Sequence, residues 1–209
     1  MGLRSELFSD SEHEEIRRAV TAAEAATSGE IVAMVVPESD RYREAEVLGG
    51  VLLAGLAALV AGILLHHVTV WFFVPIVALF YVPCRLLLAK VPRLKLSLIS
   101  RARLEGAVRE RCVRAFYEKG LHRTIGETGV LIFISELERK VWIIGDRGIN
   151  ERITPETWHE LVQEVTTGIR EGRACRALCS VITRCGTILA EQFPRKADDV
   201  NELPDEVMG

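Results

Sequence analysis

Two uncharged apolar runs sit almost back to back in the middle of this chain, with charged, mixed sequence on either side. The first covers residues 47–65; the second covers residues 68–84 and continues apolar past Arg85 to Ala89. A helix needs ~20 mostly apolar residues to cross ~30 Å of hydrocarbon, and each run approaches that length. Only His66 and His67 lie between them. The pair therefore reads as a tight helical hairpin that leaves both flanks on one side of a membrane. The first run is rich in Leu, Ala, Val and Gly and has no polar face, which argues against a buried hairpin in a soluble protein. Pro75 and Pro83 predict a kinked second helix, and proline is tolerated in spanning helices. Trp71, Phe72 and Phe73 stand near its start, where aromatic rings favour the interface.

Charge placement gives an orientation. Arg85, Lys90, Arg93, Lys95, Arg101 and Arg103 follow the second run, Arg41 and Arg43 precede the first, and the tip has no Lys or Arg. That bias predicts cytoplasmic flanks, with both termini inside. Arg85, Lys90, Arg93 and Lys95 are expected to dock on anionic headgroups of the bilayer. A net charge of −3 over 209 residues gives no footprint for nucleic acid. Residues 1–30 are polar and charged, so no secretory signal is expected. The five cysteines, an odd number in a cytoplasm-facing chain, predict free thiols. Cys175, Leu178, Ile182, Cys185 and Leu189 fall on one helical stripe, which predicts a core face rather than a metal site.

The rest of the chain reads as one α/β domain, interrupted by the hairpin. Ser9 and Glu12 form a capping box ahead of a helix ending near Ala26, with Ile16, Ala19, Val20 and Ala23 inward. Residues 31–36 and 129–134 are continuous apolar runs, the pattern of strands covered on both faces. Residues 141–144 follow after a short turn, which predicts an antiparallel partner. Helices are expected over residues 100–119, capped by Gly120, after the Thr154-Pro155-Glu156 start, and over residues 174–192. The expected fold class is a three-layer α/β/α sandwich with a short mixed sheet. Its first strand is parallel to its second through a crossover. The expected organisation is a first part of the domain at 1–46, a transmembrane helical hairpin at 47–90, a second part at 91–194 and an acidic tail at 195–209.

That topology gathers chemistry at one end of the sheet. The starts of the first two strands meet the end of the third, so Glu30, Glu127 and Asp146 converge, with Thr27, Ser28 and Thr128 nearby. Carboxylates with hydroxyl and backbone oxygens are the donors of a hard cation such as Ca²⁺ or Mg²⁺. The alternative is three loop acids doing local work, with Asp146 holding its own turn. The hairpin leaves from the other end of the first strand, so the acidic end is expected to face away from the bilayer. The loop at Gly126-Glu127-Thr128-Gly129 precedes a strand, whereas phosphate loops follow one and open a helix.

Thr27-Ser28-Gly29-Glu30-Ile31-Val32, Thr124 to Ile132 (TIGETGVLI) and Val141 to Ile149 (VWIIGDRGI) resemble the TPM domain family. It is also called the TPM phosphatase or thylakoid acid phosphatase-like family. Trp158, Phe193-Pro194 and Asn201-Glu202-Leu203-Pro204-Asp205 are similar to a bacterial, membrane-anchored branch, and the resemblance spans about residues 8–205. It implies an α/β/α sandwich, and members are linked to weak acid phosphatase activity, calcium binding, photosystem repair or modulation of a membrane receptor. Glu30 and Asp146 match the family's recurring acidic positions, and Glu127 lies in its loop before the second strand. Many members are exported, with the membrane helix beyond the domain; here the hairpin is inserted within it. The expectation is a bacterial inner-membrane protein with a cytoplasmic TPM-like domain, acting as an accessory or interaction module, with Ca²⁺ or Mg²⁺ as the expected cofactor. A membrane protein or a second copy of this chain is its expected partner, the latter through Gly49, Gly50, Gly55 and Gly62. The alternative is a metal-assisted acid phosphatase built on the same acids.

Overall fold

The structure, a computed structural model, describes residues 7–66, 69–195, 202–203 and 207–208. In chain order its elements are α1 (Asp10–Glu24), β1 (Glu30–Val36), α2 (Arg43–Leu64), α3 (Val70–Lys90), α4 (Pro92–Ser97), α5 (Arg101–Glu118), β2 (Gly129–Ser135), β3 (Lys140–Gly145), α6 (Arg147–Asn150), α7 (Pro155–Arg170) and α8 (Ala174–Gln192). A 3₁₀ turn occupies Leu121–Arg123. The chain divides into two compact units, one from Met1–Ser39 with Glu105–Gly209, the other from Asp40–Leu104.

The first unit is built on a three-stranded mixed sheet in the order β1-β2-β3. β1 runs parallel to β2, with Glu30 opposite Gly129 and Val36 opposite Ser135. β3 runs antiparallel to β2, with Val130 opposite Gly145. Every residue of β1 and β2 is buried, as their unbroken apolar sequence predicts, because successive side chains point to opposite faces and both faces are covered. Ile31, Ala33, Val35, Val130, Ile132 and Ile134 pack with Ile16 and Val20 of α1, Leu161 and Val165 of α7, and the inner stripe of α8. Val32, Met34, Val36, Leu131 and Phe133 pack with Val108, Cys112, Ala115 and Phe116 of α5. The result is the three-layer α/β/α sandwich expected from the sequence.

Local chemistry sets the element ends. Ser9 accepts from the Glu12 amide at 3.4 Å while the Glu12 carboxylate accepts from the Ser9 amide at 2.8 Å, the predicted capping box of α1. Thr154 occupies the cap position of α7 but its hydroxyl makes no cap bond and lies 3.4 Å from that of Thr157. Gly120, at φ +80°, turns the chain after α5 as expected. Cys175, Leu178, Ile182, Cys185 and Leu189 are core residues of α8. The free edge of β1 is also covered. The Ile31 amide donates to Glu24 Oε1 at 2.7 Å, the Val35 amide to the Met208 carbonyl at 2.9 Å, and the Met208 amide to the Ala33 carbonyl at 3.0 Å. At the C-terminal end of β1, Ser39 donates its amide to Glu138 at 3.0 Å and its hydroxyl to Ser135 at 2.8 Å. The chain leaves this unit there, at the opposite end of the strand from Glu30.

In the second unit α2 and α3 pair along their length, and both are long and apolar enough to cross a membrane. Only 28% and 6% of their most apolar windows are buried, which is unlike a core hairpin. Leu48, Leu52, Leu56, Leu64, Trp71 and Leu79 stand exposed on the outside. The side of α2 turned to α3 is a row of small residues, with Gly50, Ala54, Ala58 and Gly62 buried at four-residue spacing. A Cβ at Gly50 would lie 3.3 Å from the Arg85 backbone, and one at Gly49 would overlap Leu88 at 2.8 Å. Gly49, Gly50 and Gly62 are buried within this unit, while Gly55 faces open space. The expectation for Lys95 is corrected. This residue is 5% exposed, and its ammonium donates to the Arg41 carbonyl at 3.0 Å and to Glu46 at 3.5 Å, so it is turned inward rather than toward headgroups. Arg85, Lys90 and Arg93 are exposed.

Candidate cation site at the acidic end of the sheet

The strand register carries the convergence. Glu30 pairs with Gly129 across β1 and β2 and donates its amide to the Thr128 carbonyl at 3.2 Å. Asp146, one residue past β3, donates its amide to the Gly129 carbonyl at 2.8 Å. Glu30 and Asp146 thus flank the first residue of β2, two strand spacings or roughly 10 Å apart at their backbones, within reach of one ion for two carboxylate arms.

Each acid is held differently. Glu30 is 6% exposed, and its Oε1 accepts the Glu202 amide at 3.1 Å. Asp146 Oδ1 accepts the Arg147 amide at 2.7 Å and caps the short α6, the local turn-holding role open to it from sequence. Its second oxygen, Oδ2, is buried and has no hydrogen-bond partner among the described residues. Glu127 sits at φ +56°, left-handed backbone that costs a non-glycine residue about 1–3 kcal/mol. Its half-exposed carboxylate lies 3.8 Å from Arg147 Nε. The ligand oxygens of Glu30, Glu127 and Asp146 are not all within 4.8 Å of one another; among the described residues that closeness is met by Glu15, Cys175 and Cys179. The backbones therefore converge as the topology requires, while the Glu127 side chain turns to Arg147.

The loop is pressed close to the turn after β3. A Cβ on Gly148 would lie 2.6 Å from the Gly126 carbonyl oxygen and 2.9 Å from that of Glu127, a separation only glycine permits. Around it the hydroxyls are spent on structure. Thr27 donates to the Phe193 carbonyl at 2.7 Å, Thr128 donates to the Ser28 carbonyl at 3.1 Å, and Thr124 accepts the Thr128 amide at 3.1 Å. The charged donors, the Glu30 and Asp146 carboxylates, are oxygen ligands, which fit a hard cation and not a thiophilic one.

Two participants escaped the sequence reading. Glu202 reaches back from the tail, its carboxylate accepting the Ile125 amide at 3.1 Å while its own amide holds Glu30. Nothing local signals a contact across 172 residues. Arg147, 77% exposed, pairs with Glu127 and with Glu151 at 3.2 Å. Its place right after Asp146 was a usable signal for a cation beside the acids.

Residues 99–188 match the TPM domain family. The matched stretch runs from the start of α5 into α8, so it takes in β2, β3, Glu127 and Asp146 but not β1, which the hairpin separates from it. No match is found among curated proteins. The chain is similar in structure to the BA42 protein of the psychrophilic bacterium Bizionia argentinensis, solved by NMR, at 21% identity and a TM-score of 0.62, covering 100% of this chain and 99% of that one. At that identity the likeness speaks for the fold alone.

Proposed function

We propose that this chain, a TPM-domain protein over residues 99–188, is a membrane-anchored accessory or interaction module whose acidic sheet end takes a divalent cation, Ca²⁺ in the first place. Its helices α2 and α3 span the bilayer, with the α/β unit and both termini on the cytoplasmic side, following the Lys and Arg bias of the flanks. Arg85, Lys90 and Arg93 meet the headgroups. The observation that carries the cation reading is Asp146 Oδ2, a buried carboxylate oxygen with no hydrogen-bond partner among the described residues, beside buried Glu30. Glu30 and Asp146 would supply charged ligands, and Glu127 joins them if its side chain leaves Arg147. Three negative charges at one end of a sheet gain stability from a bound cation.

Binding is favoured over turnover because the nearby hydroxyls of Thr27 and Thr128 donate to backbone carbonyls and are buried at 1% and 3% exposure. The test is calorimetric titration of the detergent-solubilised protein with Ca²⁺ and with Mg²⁺, beside an Asp146→Asn variant. Saturable heat in the parent that falls at least about tenfold in affinity in the variant supports the site. No heat in either protein overturns it. A phosphate-ester assay on the same samples decides the enzymatic alternative, which requires turnover that Asp146→Asn abolishes.

A further inference from the structure

Outside the acidic end, one other group of side chains among the described residues has the chemistry of a ligand set. Cys175 and Cys179 sit one turn apart on α8, and Glu15 stands on the neighbouring α1. The two thiol sulfurs and a Glu15 carboxylate oxygen all lie within 4.8 Å of one another. Cys175 is buried, Cys179 half-buried and Glu15 exposed, so the cluster opens from the core toward solvent. The Cys175 thiol lies 3.9 Å from the Glu12 carbonyl, one turn of α1 below Glu15.

We propose that Cys175, Cys179 and Glu15 form a zinc site that clamps α1 to α8, with a water in the fourth position. Two sulfurs and one carboxylate suit a borderline-soft ion and not the hard cation of the acidic end. Around a tetrahedral Zn²⁺, with Zn–S near ~2.3 Å and Zn–O near ~2.1 Å, ligand atoms stand about 3.5–3.8 Å apart. The cluster therefore has to contract by about 1 Å at most, within the freedom of an exposed glutamate and a half-buried cysteine. The helices it joins are held firmly at the other end of their contact. There Gly186 of α8 rests against Ala23 of α1 so closely that an added Cβ would lie 2.6 Å from the alanine methyl. Ligands carried by two packed helices are already positioned, so little ordering remains to be done on binding. Burial, then the neighbouring thiol and the Glu15 charge, push the Cys175 thiol up to about 12, and burial pushes Cys179 up as well. Each bound Zn²⁺ displaces the two thiol protons to solvent.

The test uses the full chain in detergent with a phosphine reductant, titrated with Zn²⁺ against a chromogenic chelator and, separately, with Co²⁺. The expected result is one tight equivalent of Zn²⁺ and an intense thiolate-to-cobalt absorption. Cys179→Ser and Glu15→Gln, both at positions that tolerate a polar side chain, each weaken binding by about tenfold or more, and Cys179→Ser also lowers the cobalt band. Asp146→Asn leaves both signals unchanged, which separates this site from the cation site proposed above. Failure of Zn²⁺ to compete with the chelator overturns the proposal, as does equal binding by the parent and the two variants with far-UV circular dichroism unchanged.

Discussion

At the scale of single residues, the acidic end shows how little of a site is fixed by residue type. Glu30, Glu127 and Asp146 are all carboxylates, yet one is buried against a tail amide, one leans to an arginine and one caps a helical turn. Glu127 is the informative position, because its left-handed backbone is strained for any residue with a Cβ. Glu127→Gly should raise stability by up to ~1 kcal/mol, since glycine adopts that conformation at no steric cost. If the Glu127 carboxylate swings to a bound cation, the same variant loses Ca²⁺ affinity while its denaturation midpoint rises. Measuring both on one sample separates a ligand from a turn residue. A lower midpoint would show that the Arg147 pairing outweighs the strain.

At the scale of elements, edges and amphipathic segments decide. β1 carries an unpaired edge, and such edges invite association with another chain. Met208 covers it with one donated and one accepted backbone bond. Met208→Pro removes the donor, and its expected cost is about 1 kcal/mol together with concentration-dependent self-association on light scattering. Unchanged stability and a monodisperse sample would mean the contact contributes nothing. In α4 two basic residues two positions apart do opposite jobs. Arg93 is exposed, whereas Lys95 is turned inward on Glu46 and the Arg41 carbonyl. Arg93→Gln should weaken the preference of the bilayer-reconstituted protein for anionic over neutral lipid by about 1 kcal/mol and leave thermal stability alone. Lys95→Gln should do the reverse, lowering the melting temperature because Glu46 then loses its counter-charge. Periodicity could not tell these two apart, since both stand in a short basic run and the carbonyl that captures Lys95 comes from before α2.

Over the whole molecule, the buried thiols tie stability to alkaline pH. Burial pushes both Cys112, under the sheet in α5, and Cys185, in the core stripe of α8, up to about 12 from an ordinary value of 9.0. A folded-state value above the unfolded one means the native state keeps a proton that the unfolded chain gives up. The resulting stabilisation is complete below about pH 9 and is lost as pH climbs toward 12. Denaturant midpoints measured across that window should fall less steeply in a Cys112→Ala, Cys185→Ala double variant than in the parent. Equal slopes would show that other groups govern the alkaline limb.

The sequence by itself determined the hairpin, the three layers and the sheet order. The reason is that those follow from hydrophobic length and period, which are local properties of the chain. It also placed Glu30, Glu127 and Asp146 at one end of the sheet, because strand direction follows from the connections, and direction settles which strand ends share an edge. Only the tertiary structure decided what each side chain does there. The tail that brings Glu202 to Glu30 and Met208 to β1, the inward turn of Lys95, and the meeting of Glu15 with Cys175 and Cys179 all join residues far apart in sequence. Such contacts are set by the packing of whole elements, and their energies depend on burial and distance that no local pattern encodes.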